Sequence, residues 1–219
     1  MTLLEFARGP ALEIAFAVFV FGVLWRLLSL LLLPWGRDRS VARPDAPSTI
    51  VGAAGGFVRH MWPPKAFVRA SLFSTLNGYV FHIGLAIVVF GLAQHILVLR
   101  GLFGVGWPNL PSGIITVASV VTLASLTAAL VRRMTDPVLR LLSTFNDYFS
   151  WLVTILPVVT GLVAASHLWA RYETLLAIHI LSVALLLIWF PFGKLMHAFL
   201  VFLTRSETGI FYSRRGVEI

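Results

Sequence analysis

Long runs of apolar residues, separated by shorter polar stretches, dominate the pattern along this chain. Five runs are long enough to cross a bilayer whose hydrocarbon core is about 30 Å thick. Their approximate limits are residues 10–33, 74–99, 112–131, 149–170 and 174–203. Segments this apolar must satisfy their backbone hydrogen bonds internally, so each run predicts a helix. The pattern therefore predicts an all-α integral membrane protein, with residues 1–219 forming a single bundle of five transmembrane helices.

The charged residues between the runs predict an orientation. Residues 36–73 form a long loop rich in proline, glycine and arginine, with room for a short surface helix. This loop, the 132–148 connection and the C-terminal tail carry six, three and three basic residues, against three in total on the opposite side. Basic residues favour the cytoplasmic side of a membrane. The N-terminus is therefore predicted to lie outside and the C-terminus in the cytoplasm, with 36–73 as a basic cytoplasmic loop.

The composition supports this class and limits the chemistry. The chain is 58% hydrophobic and only 12% charged, and its net charge of +8 follows the loops, which argues for membrane topology and against nucleic-acid binding. There is no cysteine, which excludes disulfides, thiolate ligands for an iron–sulfur cluster and covalent attachment of c-type haem. Any haem held by this chain would therefore be bound non-covalently, by histidine or methionine.

Five of the six histidines lie within the apolar runs, where ionisable groups are costly and usually functional, and one of them, His167, lies at the outer end of the fourth run. His82 and His197 lie toward the predicted cytoplasmic ends of the second and fifth runs. His95 and His179 lie toward the outer ends of the same two runs. Two depths, each with one histidine from each of two helices, are what two bis-histidine haems require. The sequence therefore predicts two haem b groups, one held by His82 and His197 and one by His95 and His179.

The spacing of these histidines is regular on one helix and irregular on the other. On an uninterrupted fifth helix, the 18 residues from His179 to His197 are five full turns, about 27 Å along one face. The 13 residues from His82 to His95 give about 20 Å but a rotation of roughly 140° from the same face. The second helix would therefore have to present its two histidines on different flanks.

Three segments resemble the gamma subunit of respiratory nitrate reductase, a di-haem cytochrome b that oxidises quinol. They are FHIGLAIVVFG at 81–91, RRMTDPVLRLLSTFNDYFSWL at 132–152, and the stretch from His179 to His197 that includes FPFGKLMH. The resemblance implies that His82 and His197 hold the haem nearer the cytoplasm and that His179 holds one side of the outer haem. The family's other second-helix ligand lies ten residues after the first, which is Leu92 here. His95 is the candidate replacement.

The long loop with its HMWPPKAFVRA segment is more similar to relatives that serve sulfur-metabolism complexes. The resemblance implies a membrane subunit that transfers electrons between quinone or menaquinone and a cytoplasmic iron–sulfur subunit. That partner would be heterodisulfide-reductase-like or nitrate-reductase-beta-like. The chain has no terminal catalytic site, so it is expected to be an electron-transfer subunit of a quinol-linked oxidoreductase in a bacterial or archaeal cytoplasmic membrane.

Charged and polar residues near the membrane boundaries are candidates for the remaining sites. Arg100, His167, Arg171 and Glu173 lie near the outer boundary, where they could contact a quinone or haem propionates, or serve as ordinary interfacial residues. Arg132, Arg133 and Arg140 could dock the cytoplasmic partner, although positive-inside topology also explains them.

Two alternatives without haem remain. A haem-free membrane anchor or transporter subunit is one, although transporters usually pair broken or polar helices at the midplane. A histidine-bound di-iron enzyme is the other, but such centres commonly add carboxylates. Glu13 is the one acid well inside a run, and it lies on another helix.

Overall fold

The structure, a computed structural model, describes residues 1–34 and 40–217. Within these residues all regular structure is helical. Five helices are long and apolar enough to cross a membrane, namely Leu3–Leu32, Lys65–Gly91, Ser112–Thr135, Phe145–Ser166 and Tyr172–Trp189. The prediction of an all-α, multi-pass membrane protein with five spans is confirmed. The orientation of its termini stays a prediction. Positions 36–39 of the predicted basic loop lie outside the described residues.

Ten α-helices occur in the described part of the chain. They are α1 (Leu3–Phe6), α2 (Leu12–Leu32), α3 (Thr49–Arg59), α4 (Val68–Gly91), α5 (Ala93–Phe103), α6 (Ser112–Thr135), α7 (Pro137–Leu142), α8 (Phe145–Ser166), α9 (Tyr172–Trp189) and α10 (His197–Arg215). A π-helical turn at Ala7–Ala11 joins α1 to α2, and 3-10 turns at Lys65–Phe67 and Lys194–Met196 precede α4 and α10. Helix α3 is the short helix that the long loop had room for.

The predicted second helix, 74–99, is interrupted. Helix α4 ends at Gly91, and Leu92 has an extended backbone (φ −76°, ψ 129°) before α5 begins. The angular argument from His82 to His95 assumed one continuous helix and is therefore wrong.

The predicted fifth helix, 174–203, is also interrupted, and here the cause is visible in the sequence. Pro191 has no backbone N–H and disfavours helical geometry in the residue before it. Helix α9 accordingly ends at Trp189, Gly193 is extended, and His197 begins α10. The five-turn, same-face argument for His179 and His197 is therefore wrong, because the two residues lie on different helices.

The described chain divides into two compact units. The first comprises Met1–Phe19 and Leu76–Trp189, and its core contains Leu126, Ile155 and Val158 from α6 and α8. Polar contacts add to this packing, because the side chains of Asn77 and Ser125 hydrogen-bond each other (2.7 Å) and each other's backbone carbonyls. Hydrogen bonds between helices replace the water that lipid does not provide.

The second unit comprises Val20–Thr75 and Phe190–Ile219, and α3 packs on α10 within it. Gly56 of α3 and Gly209 of α10 lie directly against each other, and a Cβ added to either would collide with backbone atoms of the other helix. A Cβ added at Gly52 would collide with the Ser213 hydroxyl of α10. The Phe57 and Phe202 rings stack beside this contact, with centroids 5.5 Å apart. Small residues permit such close approach of two helices, so the glycines fix how α3 lies on α10.

Candidate functional site

His95 occupies its position because of the break between α4 and α5. The His95 Nδ1 lies 3.0 Å from the carbonyl oxygen of Val88, seven residues earlier, a contact that a continuous helix would not allow. A carbonyl only accepts hydrogen bonds, so Nδ1 carries the proton and Nε2 keeps its lone pair. The break thus brings His95, three residues beyond Leu92, back toward the end of α4. Its Nε2 has a free lone pair, which is the form that binds a metal.

The carbonyl groups freed by the break are bonded to the loop that follows α5. The indole N–H of Trp107 donates to the Phe90 carbonyl (2.6 Å), and the Leu110 N–H donates to the Gly91 carbonyl (2.9 Å). Phe90 and Gly91 end a candidate span, and an unpaired carbonyl within a bilayer would cost several kcal/mol. The loop therefore stabilises the break, and through it the position of His95.

Hydroxyl groups of α8 and α9 surround His179. Its Nδ1 lies 3.2 Å from the Thr160 Oγ1, which is 2.9 Å from the Ser182 Oγ. Thr160 Oγ1 also donates to the Leu156 carbonyl (2.7 Å), and Ser182 Oγ donates to the His179 carbonyl (2.7 Å). His179 is therefore held in one orientation by a polar network inside an otherwise apolar helix pair.

Gly161 provides the space for the His179 ring. A Cβ added at Gly161 would lie 3.1 Å from the His179 Cε1 and 3.4 Å from its Nδ1. The first of these distances is shorter than ordinary carbon–carbon van der Waals contact. A Cβ at position 161 would therefore require the imidazole to shift slightly, and a larger side chain would require a larger shift.

The rings of His95 and His179 are neighbours. Their centroids are 6.1 Å apart and their planes are inclined by 17°. A metal–imidazole bond is about 2 Å long, and each ring adds roughly 1 Å from its nitrogen to its centroid, so two imidazoles on opposite sides of one metal ion have centroids about 6 Å apart. The spacing of this pair therefore fits two axial ligands of a single iron.

The pKa of His95 also suits metal binding. His95 lies on α5, beyond the Lys65–Gly91 span, and its pKa is below the ordinary value because burial disfavours the imidazolium. The hydrogen bond to Val88 opposes this effect only in part. A neutral imidazole is the form that binds a metal ion.

The imidazoles of His82 and His197 each have a backbone carbonyl beside Nδ1, as His95 does. The Nδ1 of His82 lies 2.7 Å from the Gly78 carbonyl, and that of His197 lies 2.8 Å from the Lys194 carbonyl. A carbonyl at Nδ1 orients many metal-ligating histidines, but His60 makes the same contact with Gly56 (2.6 Å) on α3. His82 belongs to the first compact unit and His197 to the second. Their pairing stays a prediction from the sequence.

The residues predicted near the outer boundary have ordinary structural roles. His167 ends α8 in the left-handed conformation (φ 55°) and its ring lies over that of Tyr172. Arg171 and Glu173 form an exposed ion pair (3.6 Å). The Arg100 side chain lies against Gly106 in the following loop. Their assignment to a quinone or to haem propionates stays a prediction.

One of the three arginines predicted to dock a partner has an internal partner instead. The Arg133 Nη1 donates to the Asp147 carboxylate (2.9 Å) and to the Ser143 hydroxyl (2.8 Å). Only 4% of the Asp147 side chain is exposed, and its other oxygen accepts from the Thr144 N–H and hydroxyl, both at 3.0 Å. Arg133 therefore stabilises the 132–148 connection.

The residues around His179 were missed by the analysis of the sequence, although a signal existed. Helices α8 and α9 are joined by a short turn near residues 167–171 and lie side by side. Residues equally distant from the turn face each other in such a hairpin, and Thr160 and His179 are nearly so placed. The hydroxyl network could have been found by this register.

Within residues 1–34 and 40–217, no group of three or more histidine, cysteine, aspartate or glutamate side chains is arranged to hold a metal ion. The candidate centre is therefore a histidine pair. A pair is the ligand set that a haem iron takes from a protein, because the porphyrin supplies the other four nitrogens.

No model of a known protein family matches the chain, and no solved structure matches it. The chain is similar to a protein from Nitratidesulfovibrio vulgaris strain Hildenborough. The two are 33% identical over 214 residues, which cover 96% of this chain and 94% of that protein. The name of that protein describes no function.

Proposed function

We propose that this chain, which belongs to the same family as the Nitratidesulfovibrio vulgaris protein, is a membrane cytochrome b subunit. Its function would be to transfer electrons between a quinone pool and a cytoplasmic iron–sulfur partner. The observation that carries the proposal is the pair of imidazoles on α5 and α9, 6.1 Å apart. Each has its Nδ1 at a hydrogen-bonding partner, which leaves Nε2 for iron.

His95 and His179 would hold the outer haem, and they fit it in two respects. Their Nδ1 atoms are engaged by the Val88 carbonyl and the Thr160 hydroxyl, and burial lowers the pKa of His95, which favours the neutral ring. His82 and His197 would hold the inner haem, as the sequence predicts. When bound, haem supplies reversible one-electron chemistry at a potential set by its axial ligands and their surroundings.

The chain itself would orient the ligands and exclude water. The break at Leu92 positions His95, and Gly161 leaves room for His179. The apolar span Tyr172–Trp189 provides a low dielectric around His179, and burial does the same at His95. In this role the chain would perform no bond-making step of its own, and reaction specificity would belong to its partners.

The sites of exchange at the two membrane surfaces are part of the proposal. At the outer boundary, Arg100, His167, Arg171 and Glu173 remain candidates for contacting quinone or menaquinone. At the cytoplasmic boundary, Arg132 and Arg140 remain candidates for docking an acidic iron–sulfur subunit, and Arg133 is paired with Asp147. A bacterial or archaeal cytoplasmic membrane is the location in which such a subunit would work.

A pyridine haemochrome assay on the purified full-length chain, normalised to protein concentration, tests the proposal. We expect two b-type haems per chain. The His60→Ala variant serves as the control, because His60 makes the same backbone contact on α3 but lies outside the proposed centres. A content of one haem per chain would support only one of the two proposed haem sites. A correctly folded chain without any haem would contradict the proposal and favour a haem-free anchor or transporter subunit.

A further inference from the structure

The hydroxyl of Thr160 has more neighbours than one proton can serve. Its Oγ1 lies 2.7 Å from the Leu156 carbonyl, 2.9 Å from the Ser182 hydroxyl, 3.2 Å from the His179 Nδ1 and 3.4 Å from the Pro157 carbonyl. A threonine hydroxyl has one proton to donate and two lone pairs with which to accept. Where that proton goes decides whether His179 donates to Thr160 or accepts from it.

The shortest contact places the proton on the Leu156 side. The Leu156 carbonyl only accepts, and at 2.7 Å it makes the stronger bond with the Thr160 hydroxyl. The Ser182 proton has two acceptors within reach, the His179 carbonyl at 2.7 Å and the Thr160 Oγ1 at 2.9 Å. The Thr160 lone pairs are therefore directed to the other neighbours, and the His179 Nδ1 must be the donor in its contact with Thr160.

We propose that Thr160 is a positioning residue that holds His179 in the tautomer with the proton on Nδ1 and so keeps Nε2 available to iron. If the Thr160 proton pointed at Nδ1 instead, Nε2 would carry the ring proton and could not bind a metal. This inference rests on the proposed function, because the tautomer matters only if His179 is a ligand.

His95 and His179 then differ in the strength of the hydrogen bond that each Nδ1 donates. His95 donates to a backbone carbonyl at 3.0 Å, whereas His179 donates to a hydroxyl at 3.2 Å. Donation from Nδ1 makes an imidazole more basic and a better ligand for the ferric ion. Thr160 should therefore lower the midpoint potential of the outer haem, and its removal should raise it.

The test replaces the hydroxyl and measures the potential. In Thr160→Val, we expect the preference of the outer site for ferric over ferrous haem to fall about tenfold, the lower end of the range for such supporting residues. Tenfold corresponds to a rise of about 59 mV in a one-electron couple. Thr160→Ser keeps the hydroxyl and should keep the potential close to that of the wild type.

Thr154→Val is the matched control. Thr154 is also on α8 and also donates to the carbonyl four residues earlier, that of Ser150 (2.7 Å). Loss of the Thr154 hydroxyl removes the same kind of side-chain hydrogen bond to the α8 backbone, but it leaves the surroundings of His179 unchanged. A spectroelectrochemical titration of the purified full chain should show the rise in Thr160→Val only, with the inner haem as an internal reference.

The outcomes separate this inference from the proposed function. An outer-haem potential that is the same in Thr160→Val and in wild type overturns the role of Thr160 while the cytochrome assignment stands. Loss of one haem in Thr160→Val, with retention in Thr160→Ser, supports it, because the wrong tautomer cannot bind. If the valine variant does not accumulate, Thr160→Ala removes the same hydroxyl with the same expected rise. A wild-type chain without haem overturns both.

Discussion

Replacing Asp147 by asparagine tests the ion pair that fixes the connection between α6 and α8. The Asp147 carboxylate receives hydrogen bonds from the Arg133 guanidinium and from the N–H and hydroxyl of Thr144, and 4% of the side chain is exposed. Asparagine has nearly the same shape, but its NH₂ group would face the N–H of Thr144. The substitution therefore removes one charge and turns one hydrogen bond into a contact between two donors.

The expected loss of stability follows from the exposure of the two partners. Removing one member of a buried ion pair costs about 3–5 kcal/mol. Arg133 keeps 34% of its side chain exposed and can be partly hydrated, and asparagine keeps one acceptor oxygen. We therefore expect the free energy of unfolding to fall by about 2–3 kcal/mol. For a chain of this size that lowers Tm by about 5–10 °C.

Thermal unfolding of the purified protein in detergent measures this difference, and Asp136→Asn is the matched control. The Asp136 carboxylate caps α7 by accepting from the N–H groups of Val138 (2.9 Å) and Leu139 (3.1 Å). Asparagine caps a helix as well as aspartate does, so its Tm should stay near that of the wild type. Equal Tm values for Asp147→Asn and wild type would refute the assignment of Arg133 to this ion pair.

Two further predictions concern the surroundings of the histidine pair. Gly161→Leu should displace His179 and remove one haem per chain, because a Cβ there already lies 3.1 Å from the ring, whereas Gly113→Leu, which meets open space, should retain both haems. Equal haem contents in the two variants would contradict the role of Gly161. Trp107→Phe should lower the free energy of unfolding by about 1–3 kcal/mol, because the Phe90 carbonyl loses its donor, and an unchanged Tm would show that the loop does not stabilise the break.

The five spans could be predicted because they depend on runs of apolar residues, which the sequence displays directly. The breaks between α4 and α5 and between α9 and α10 were harder to predict. Pro191 predicts the end of α9, but the Gly91–Leu92 break contains no proline. It persists because Trp107 and Leu110, from a loop well beyond the break, bond the freed carbonyls. No local pattern contains that information.

The candidate site could be predicted in part. His95 and His179 were paired from their depth alone, and the structure places their rings 6.1 Å apart. The geometric reason given by the continuous-helix argument was wrong, because His95 reaches its position through the break and not along a helix face. The contacts of Thr160 and Gly161 with His179 could be predicted only from the register between α8 and α9. That register depends on the conformation of the short turn that joins the two helices. The pairing of His82 with His197 stays a prediction.

The most direct test of the central claim is whether His95 and His179 hold the same iron. Haem b per chain should be measured by the pyridine haemochrome method in His95→Ala, in His179→Ala and in the double variant. We expect each single variant to lose one of two haems and the double variant to lose no more than either. Loss of two haems in the double variant, or retention of both in either single variant, would contradict the account.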